Sequence, residues 1–237
     1  MTLMNQNKIR MTLLVMVLGF FAIPHAHAAE PTQWSVGAKL HATNWTVQDQ
    51  STGVETDADD MRLGLAVKFQ NGRFYGGLSL LGGDFEFTGN APARPTGPAS
   101  TLPTTIKHGD TDLVFGYYFW PKVSLFLDLK NVSNEWDDGY KVEYGGIGYG
   151  ISVVQPISQR WTFSGSFGLV PMRIELNGSN IGDAGRSALE LSMHYTINQQ
   201  FNMSFGLKSQ AQTDEFDNGL KQEHHLGALV FGANLMF

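Results

Sequence analysis

Two groups of residues in this chain have the types and spacing to do chemistry. One is His224-His225 with Asp214, Glu215 and Asp217 shortly upstream, the composition of a metal site or an acid/base cluster. The other is a set of charged and imidazole side chains recurring on one parity of alternating segments: Lys39, His41, Arg62, Lys68, Asp112, Asp128, Lys130, Glu190, His194 and Lys208. Such a set either lines a path for a solute or ligand, or neutralises itself as sequestered charge must. Parity weakens the histidine pair, because adjacent strand residues face opposite ways. His224 then shares a face with Leu226, and His225 points away. The run Gly145-Gly146-Ile147-Gly148-Tyr149-Gly150 has no helix after it to receive a phosphate, so no nucleotide site is expected there. Its glycines are expected to let the wall bend or to make room for bulky neighbours such as Phe126. No catalytic residue, metal or cofactor is expected.

Strands must position these residues. Ten segments alternate apolar with small or polar residues, for example Trp34, Val36, Ala38, Leu40 and Ala42 against Ser35, Gly37, Lys39, His41 and Thr43. Helical spacing fits none of them as well. The last segment runs through Leu229, Phe231, Ala233 and Leu235 to a terminal Phe237, which suits a strand whose outer face meets lipid. Connections alternate between short (Asn71-Gly72, Trp120 to Lys122, Pro156 to Arg160, Asn198 to Gln200) and long and polar (44–60, 88–110, 131–143, 171–187, 210–224). Short periplasmic turns and longer external loops make that pattern, and both termini then lie on the periplasmic side. An outward aromatic girdle is expected at that rim from Trp34, Phe69, Phe74, Phe119, Trp161, Tyr195, Phe201 and Phe237. Trp45, Phe87 and Tyr144 are expected in an opposite girdle.

Composition agrees. Lys8 and Arg10, an apolar run from Met11 to Ile23 and the small-residue site Ala26-His27-Ala28 read as a secretory signal peptide over residues 1–28. Residues 29–237 then form one domain carrying (16 − 2) − 22 = −8 charges. An acidic chain argues against nucleic acid as a partner. The absence of cysteine excludes disulfides, thiolate catalysis and Cys-ligated metals. Charged residues are 16% of the chain, low against ~25% in soluble domains. The expected fold is all-β, one antiparallel up-and-down transmembrane β-barrel of about ten strands.

Over residues 29–237 the chain resembles the small outer-membrane β-barrel proteins of Gram-negative bacteria. The resemblance rests on the alternating strands, the turn and loop asymmetry and the strand ending in Phe237. It implies an outer-membrane location, contact with outer-membrane lipids and lipopolysaccharide, and recognition of the last strand by the barrel-assembly machinery. Barrel proteases of that membrane carry acidic pairs and a histidine at the external rim. This chain has rim acids and His224 but does not match that motif residue by residue. The serine and histidine of the outer-membrane lipid deacylases find no counterpart with an orienting acid.

Turn lengths set the expected register. A three-residue turn at Trp120 to Lys122 places Phe119 opposite Val123 and Asp112 opposite Lys130. A matching turn at Asn198 to Gln200 places Glu190 opposite Lys208. A two-residue turn at Asn71-Gly72 places Lys68 opposite Tyr75. Five lumenal cations (Lys39, Arg62, Lys68, Lys130, Lys208) against Asp112, Asp128 and Glu190 lean positive by two, so an open path would weakly favour anions. Small lumenal residues such as Gly64, Gly116, Gly150 and Ser164 are expected to leave room for water. The Pro-rich 88–108 segment is expected to be a mobile loop or a lid. Two functions remain open: a non-enzymatic barrel with a structural, surface-interaction or narrow solute-channel role, and a small hydrolase acting on lipid or peptide at the external rim.

Overall fold

A computed structural model describes residues 32–96 and 103–237. The expected signal peptide lies outside these residues, so the 1–28 boundary is neither supported nor opposed. The chain forms β1 (Gln33–Asp49), β2 (Glu55–Asn71), β3 (Phe74–Phe87), β4 (Thr104–Trp120), β5 (Val123–Trp136), β6 (Lys141–Pro156), β7 (Trp161–Leu176), β8 (Ser179–Thr196), β9 (Phe201–Phe216) and β10 (Lys221–Met236). Each strand pairs antiparallel with its sequence neighbours, and β1 pairs with β10 to close a ten-stranded barrel. At the seam, Trp34 N donates to Phe237 O at 2.9 Å and Phe237 N returns the bond to Trp34 O at 3.0 Å. Closure leaves no edge strand to be satisfied by water, the condition for a sheet to cross hydrocarbon.

The strands are 14 to 18 residues long, more than the ~9–11 that a tilted strand needs to span a bilayer. Their hydrophobic pattern explains the excess. Near the end that carries both termini, apolar side chains point outward. In β1 these are Trp34 to Ala42 at even positions; in β5, Leu125, Leu127 and Leu129 at odd ones. Further along, the phase inverts. Trp45 and Val47 of β1, Val132 and Trp136 of β5 and Leu226 of β10 are apolar on the inward face. Their outward neighbours there are Asn44 and Thr46, Ser133 and Glu135, and His225 and Glu223. One continuous strand is thus a membrane strand in its first half and a water-soluble barrel strand in its second.

That inversion corrects the expected loops. Residues 44–49 and 55–60, 131–136 and 141–143, 171–176 and 179–187, and 210–216 and 221–224 are strand, and so are 104–110. The connections left at that end are 50–54, 137–140, 177–178 and 217–220, with 88–103 the long one. Asn177-Gly178 turns with φ of 54° and 76°, the double positive φ that an Asn-Gly hairpin turn supplies. The acidic residues expected on loops stand largely on strand walls, with Asp60 and Asp214 facing inward.

The girdle at the terminal end is present. Trp34, Phe74, Phe119, Trp161 and Phe237 are exposed, and the facing pairs Trp34–Phe69 and Trp161–Tyr195 have centroids 5.5 and 4.8 Å apart. The second girdle does not form. Trp45, Phe87 and Tyr144 sit on the lumenal parity and are buried in the interior core.

Asp112 faces Lys130 and Glu190 faces Lys208, as the turns require. Two finer assignments change. Tyr118 pairs with Ser124 and Trp120 with Val123, so Phe119 is an extra residue beside a tighter turn. A bulge absorbs it and preserves the register beyond. Lys68 faces Gly77, not Tyr75, because the turn is Gly72-Arg73 and Asn71 stays in the strand opposite Phe74. Gly72 alone has positive φ, 55°, as in a hairpin turn with glycine first.

Candidate functional site

The lumen holds the residues with chemistry, in layers that follow the phase inversion. Lys39, Lys68, Asp112, Asp128, Glu190, His194 and Lys208 are partly or largely solvent-accessible on the inner wall of the terminal-end half. His41, Arg62 and Lys130 are buried at the top of this half. Lys39 Nζ lies 3.6 Å from Glu190 Oε1, so the partner of Glu190 is Lys39 and not the Lys208 facing it across the ladder. Ser164 Oγ and His194 Nε2 are 2.8 Å apart. The small residues here are partly taken up by rings: a side chain at Gly116 would overlap Tyr75, and one at Gly150 would overlap Phe126. At Gly116 and Gly150 the space is thus taken by rings and not left open, and Gly150 makes room for Phe126, the second of the two uses expected of the 145–150 glycines.

Above this lies a buried polar belt. Lys130 Nζ bonds Asp110 Oδ1 at 2.7 Å and also Asp112. Arg186 Nη1 lies 3.4 Å from Asp110 Oδ2, and its Nε donates to Gln212 Oε1 at 2.7 Å. Gln212 Nε2 donates to Asp214 Oδ1 at 2.8 Å, and Tyr144 Oη to Asp214 Oδ2 at 2.9 Å. His224 Nε2 lies 3.0 Å from Asp214 Oδ2, and Trp45 Nε1 donates to His224 Nδ1 at 3.3 Å. With Nδ1 accepting, the proton of a neutral imidazole sits on Nε2, which is close to Asp214 but makes no hydrogen bond of its own. The chain of contacts crosses the barrel from β4 to β1 through β8, β9 and β10, with Lys130 of β5 and Tyr144 of β6 joined to it at the side. Charge buried this deeply is tolerable only when paired in such a network.

Beyond the belt the lumen is an apolar core. Trp45, Phe85, Phe87, Ile106, Val132, Trp136, Val142, Met172, Ile174 and Phe216 fill it, with Trp45 edge-on to Phe85 at 5.0 Å and Phe87 at 5.6 Å. Burying each such side chain is worth about 1.5–3 kcal/mol. The start of the long connection closes over this core. Pro92 and Pro95 are buried, Gln222 Nε2 donates to Ala93 O at 2.9 Å, and the Asn218 amide donates to Pro95 O. The Arg94 guanidinium lies over the Tyr140 and Trp136 rings, 4.9 and 5.6 Å from their centroids, and bonds Asp138 at 2.7 Å. That bond holds the Asp138 carboxyl below its ordinary value. Residues 92–96 are therefore a lid, the second of the two expectations for this segment.

Sequence reading missed Asp60, Asp110, Arg186 and Asp214 as lumenal. Continuing each strand's parity by twos, from Asp112 to Asp110 or from Lys208 to Asp214, would have found them. They also correct the charge balance. The lumen holds 5 + 1 = 6 cations against 3 + 3 = 6 carboxylates among the described residues, so its expected lean of two positive charges disappears. Parity does separate His224 from His225: one is buried against Asp214, the other exposed.

No family model and no curated protein matches the chain. Among solved structures it is similar to the outer membrane protease OmpT from Escherichia coli at 10% identity, over 90% of this chain and 99% of that chain, with a TM-score of 0.54. Lower superpositions are with neisserial surface protein A, at 8% identity over 89% and 100% and a TM-score of 0.39, and with the Pseudomonas putida toluene transporter TodX, at 10% identity over 87% and 90% and a TM-score of 0.33. At such identity the OmpT likeness concerns the fold alone, and the two weaker ones add nothing to the argument. Closure and the outward apolar belt together define a transmembrane β-barrel of ten strands, with the fold of that outer-membrane protease. Its subfamily is not identified.

Proposed function

We propose that this protein is a closed, non-conducting barrel whose role is structural or surface-interacting: it holds a rigid polar wall above the outer membrane. The observation that carries this reading is the core of Trp45, Phe85, Phe87, Ile106 and Ile174 across the lumen, capped by residues 92–96. A solute path needs a wetted lumen, and this stretch is packed as a protein interior is. The hydrolase reading loses support because the acid–histidine pair is sealed: Asp214 is 0% and His224 4% exposed, with no surface from which to reach a substrate. Contact with outer-membrane lipids, lipopolysaccharide included, fits a groove of about 940 Å³ on the outer wall. It is lined by Met61, Leu189, Leu207 and Leu229, with Asn44 and Asp59 at its polar edge. Planar-bilayer recording of the refolded protein tests the proposal. Flat current is expected, and discrete conductance steps would overturn it.

A further inference from the structure

We propose that the terminal-end half of the lumen is a blind cup that binds a small phosphate-type anion. Lys39, Lys68, Asp112, Asp128, Glu190 and Lys208 on its lining are partly or largely exposed, although Ser124 and Ser192 are buried, and the cup is blind because Lys130, Asp110 and the core of Phe85, Ile106 and Ile174 above them are buried. Three ammonium groups enter it from neighbouring strands of one wall. Lys39 stands on β1, Lys68 on β2 and Lys208 on β9, with β10 between β9 and β1. Small residues flank them across the ladders: Gly64 and Gly232 beside Lys39, Gly77 beside Lys68, Ala228 beside Lys208. On their other sides Lys68 faces Ser35 and Lys208 faces Glu190.

Their pairing is incomplete. Lys39 has Glu190 at 3.6 Å, whereas Lys68 and Lys208 make no hydrogen bond or ion pair among the described residues. Lys130 is paired with Asp110 and Asp112 and Arg186 with Asp110, while Arg62 donates from Nε to Thr43 and keeps a buried Nη1 without a hydrogen-bond partner. Asp128 stands on β5, outside this wall, and makes no ion pair. Two residues along from Lys39, buried His41 presents an Nδ1 with no partner. The three ammoniums share Glu190 on their own wall and meet Asp112 and Asp128 across the cup, with Asp112 already held by Lys130; the two lysines left without an ion pair are relieved by an anion with several acceptor oxygens. Phosphate offers such oxygens and binds lysine as a point charge.

Calorimetric titration of the refolded protein with inorganic phosphate, at low ionic strength in zwitterionic detergent, tests this. One-site saturable binding is expected, weakened about tenfold in Lys68→Gln and in Lys208→Gln and unchanged in the turn variant Lys122→Gln. In the wild-type chain, phosphate should slow amine acylation of Lys68 and Lys208 but not of Lys122, a readout that needs no variant to fold. No saturable binding, equal displacement by chloride at matched ionic strength, or acylation indifferent to phosphate would each overturn the proposal. The result is independent of conductance, which reads the packed layer above the cup.

Discussion

At the residue scale, the imidazole that looked most like chemistry in the sequence is a structural bolt. His224 links the Asp214 carboxylate to the Trp45 indole, and every member of the chain is buried. A purely sequence-based view makes His224→Ala silent in a structural barrel. The packing reverses that expectation. Removing the imidazole leaves the buried indole N–H of Trp45 without its partner, at a cost of about 1–3 kcal/mol, and takes a neighbour from Asp214 Oδ2, which keeps the Tyr144 hydroxyl. His224→Ala should lower the urea midpoint of unfolding in detergent while the β-sheet circular dichroism at low urea is kept. An unchanged midpoint would show that water satisfies that N–H. His225, exposed one residue away, should tolerate the same change.

At the scale of the element, the decisive feature is the change of phase within a single strand. In β5, Leu127 faces outward in the apolar belt and Ser133 faces outward beyond it. Arginine at Leu127 must sit in hydrocarbon, a cost of about 2–4 kcal/mol near the midplane. The same residue at Ser133 meets water and should be near neutral. Reversible unfolding of Leu127→Arg and Ser133→Arg from lipid vesicles compares the two, and equal costs would place the membrane boundary elsewhere. The same inversion explains the misread loops. The segments from 44 to 60 and from 210 to 224 look polar because their outward face is polar, while Trp45, Val47, Phe216 and Leu226 continue the alternation on the other parity. The Asn177-Gly178 turn signal stood in plain view between two such segments.

At the scale of the whole molecule, closure turns one lumen into two environments: a wet cup near the termini and a dry core at the far end. The lid is secondary to that core. Deleting residues 90–102 removes the Arg94 stack and the Asp138 pair but leaves Phe85, Ile106, Trp136 and Ile174 in place. The deletion variant should remain non-conducting in a planar bilayer. Conductance steps appearing only in that variant would make residues 92–96 the seal, and the core beneath them leaky.

Much of this molecule was legible without coordinates. Period-two alternation and turn chemistry are local properties, so strand number, outward belt, terminal girdle and the Asp112–Lys130 and Glu190–Lys208 registers could all be read from spacing. Asp214 and His224 stood out together in the sequence, but what they meet across the barrel was not legible, because Asp110, Arg186 and Trp45 lie far from them in sequence and become neighbours only when the sheet closes. Nor could alternation say what covers each apolar face. Lipid and a packed protein interior reward the same pattern, and the side chains arriving from the facing strands decide between them.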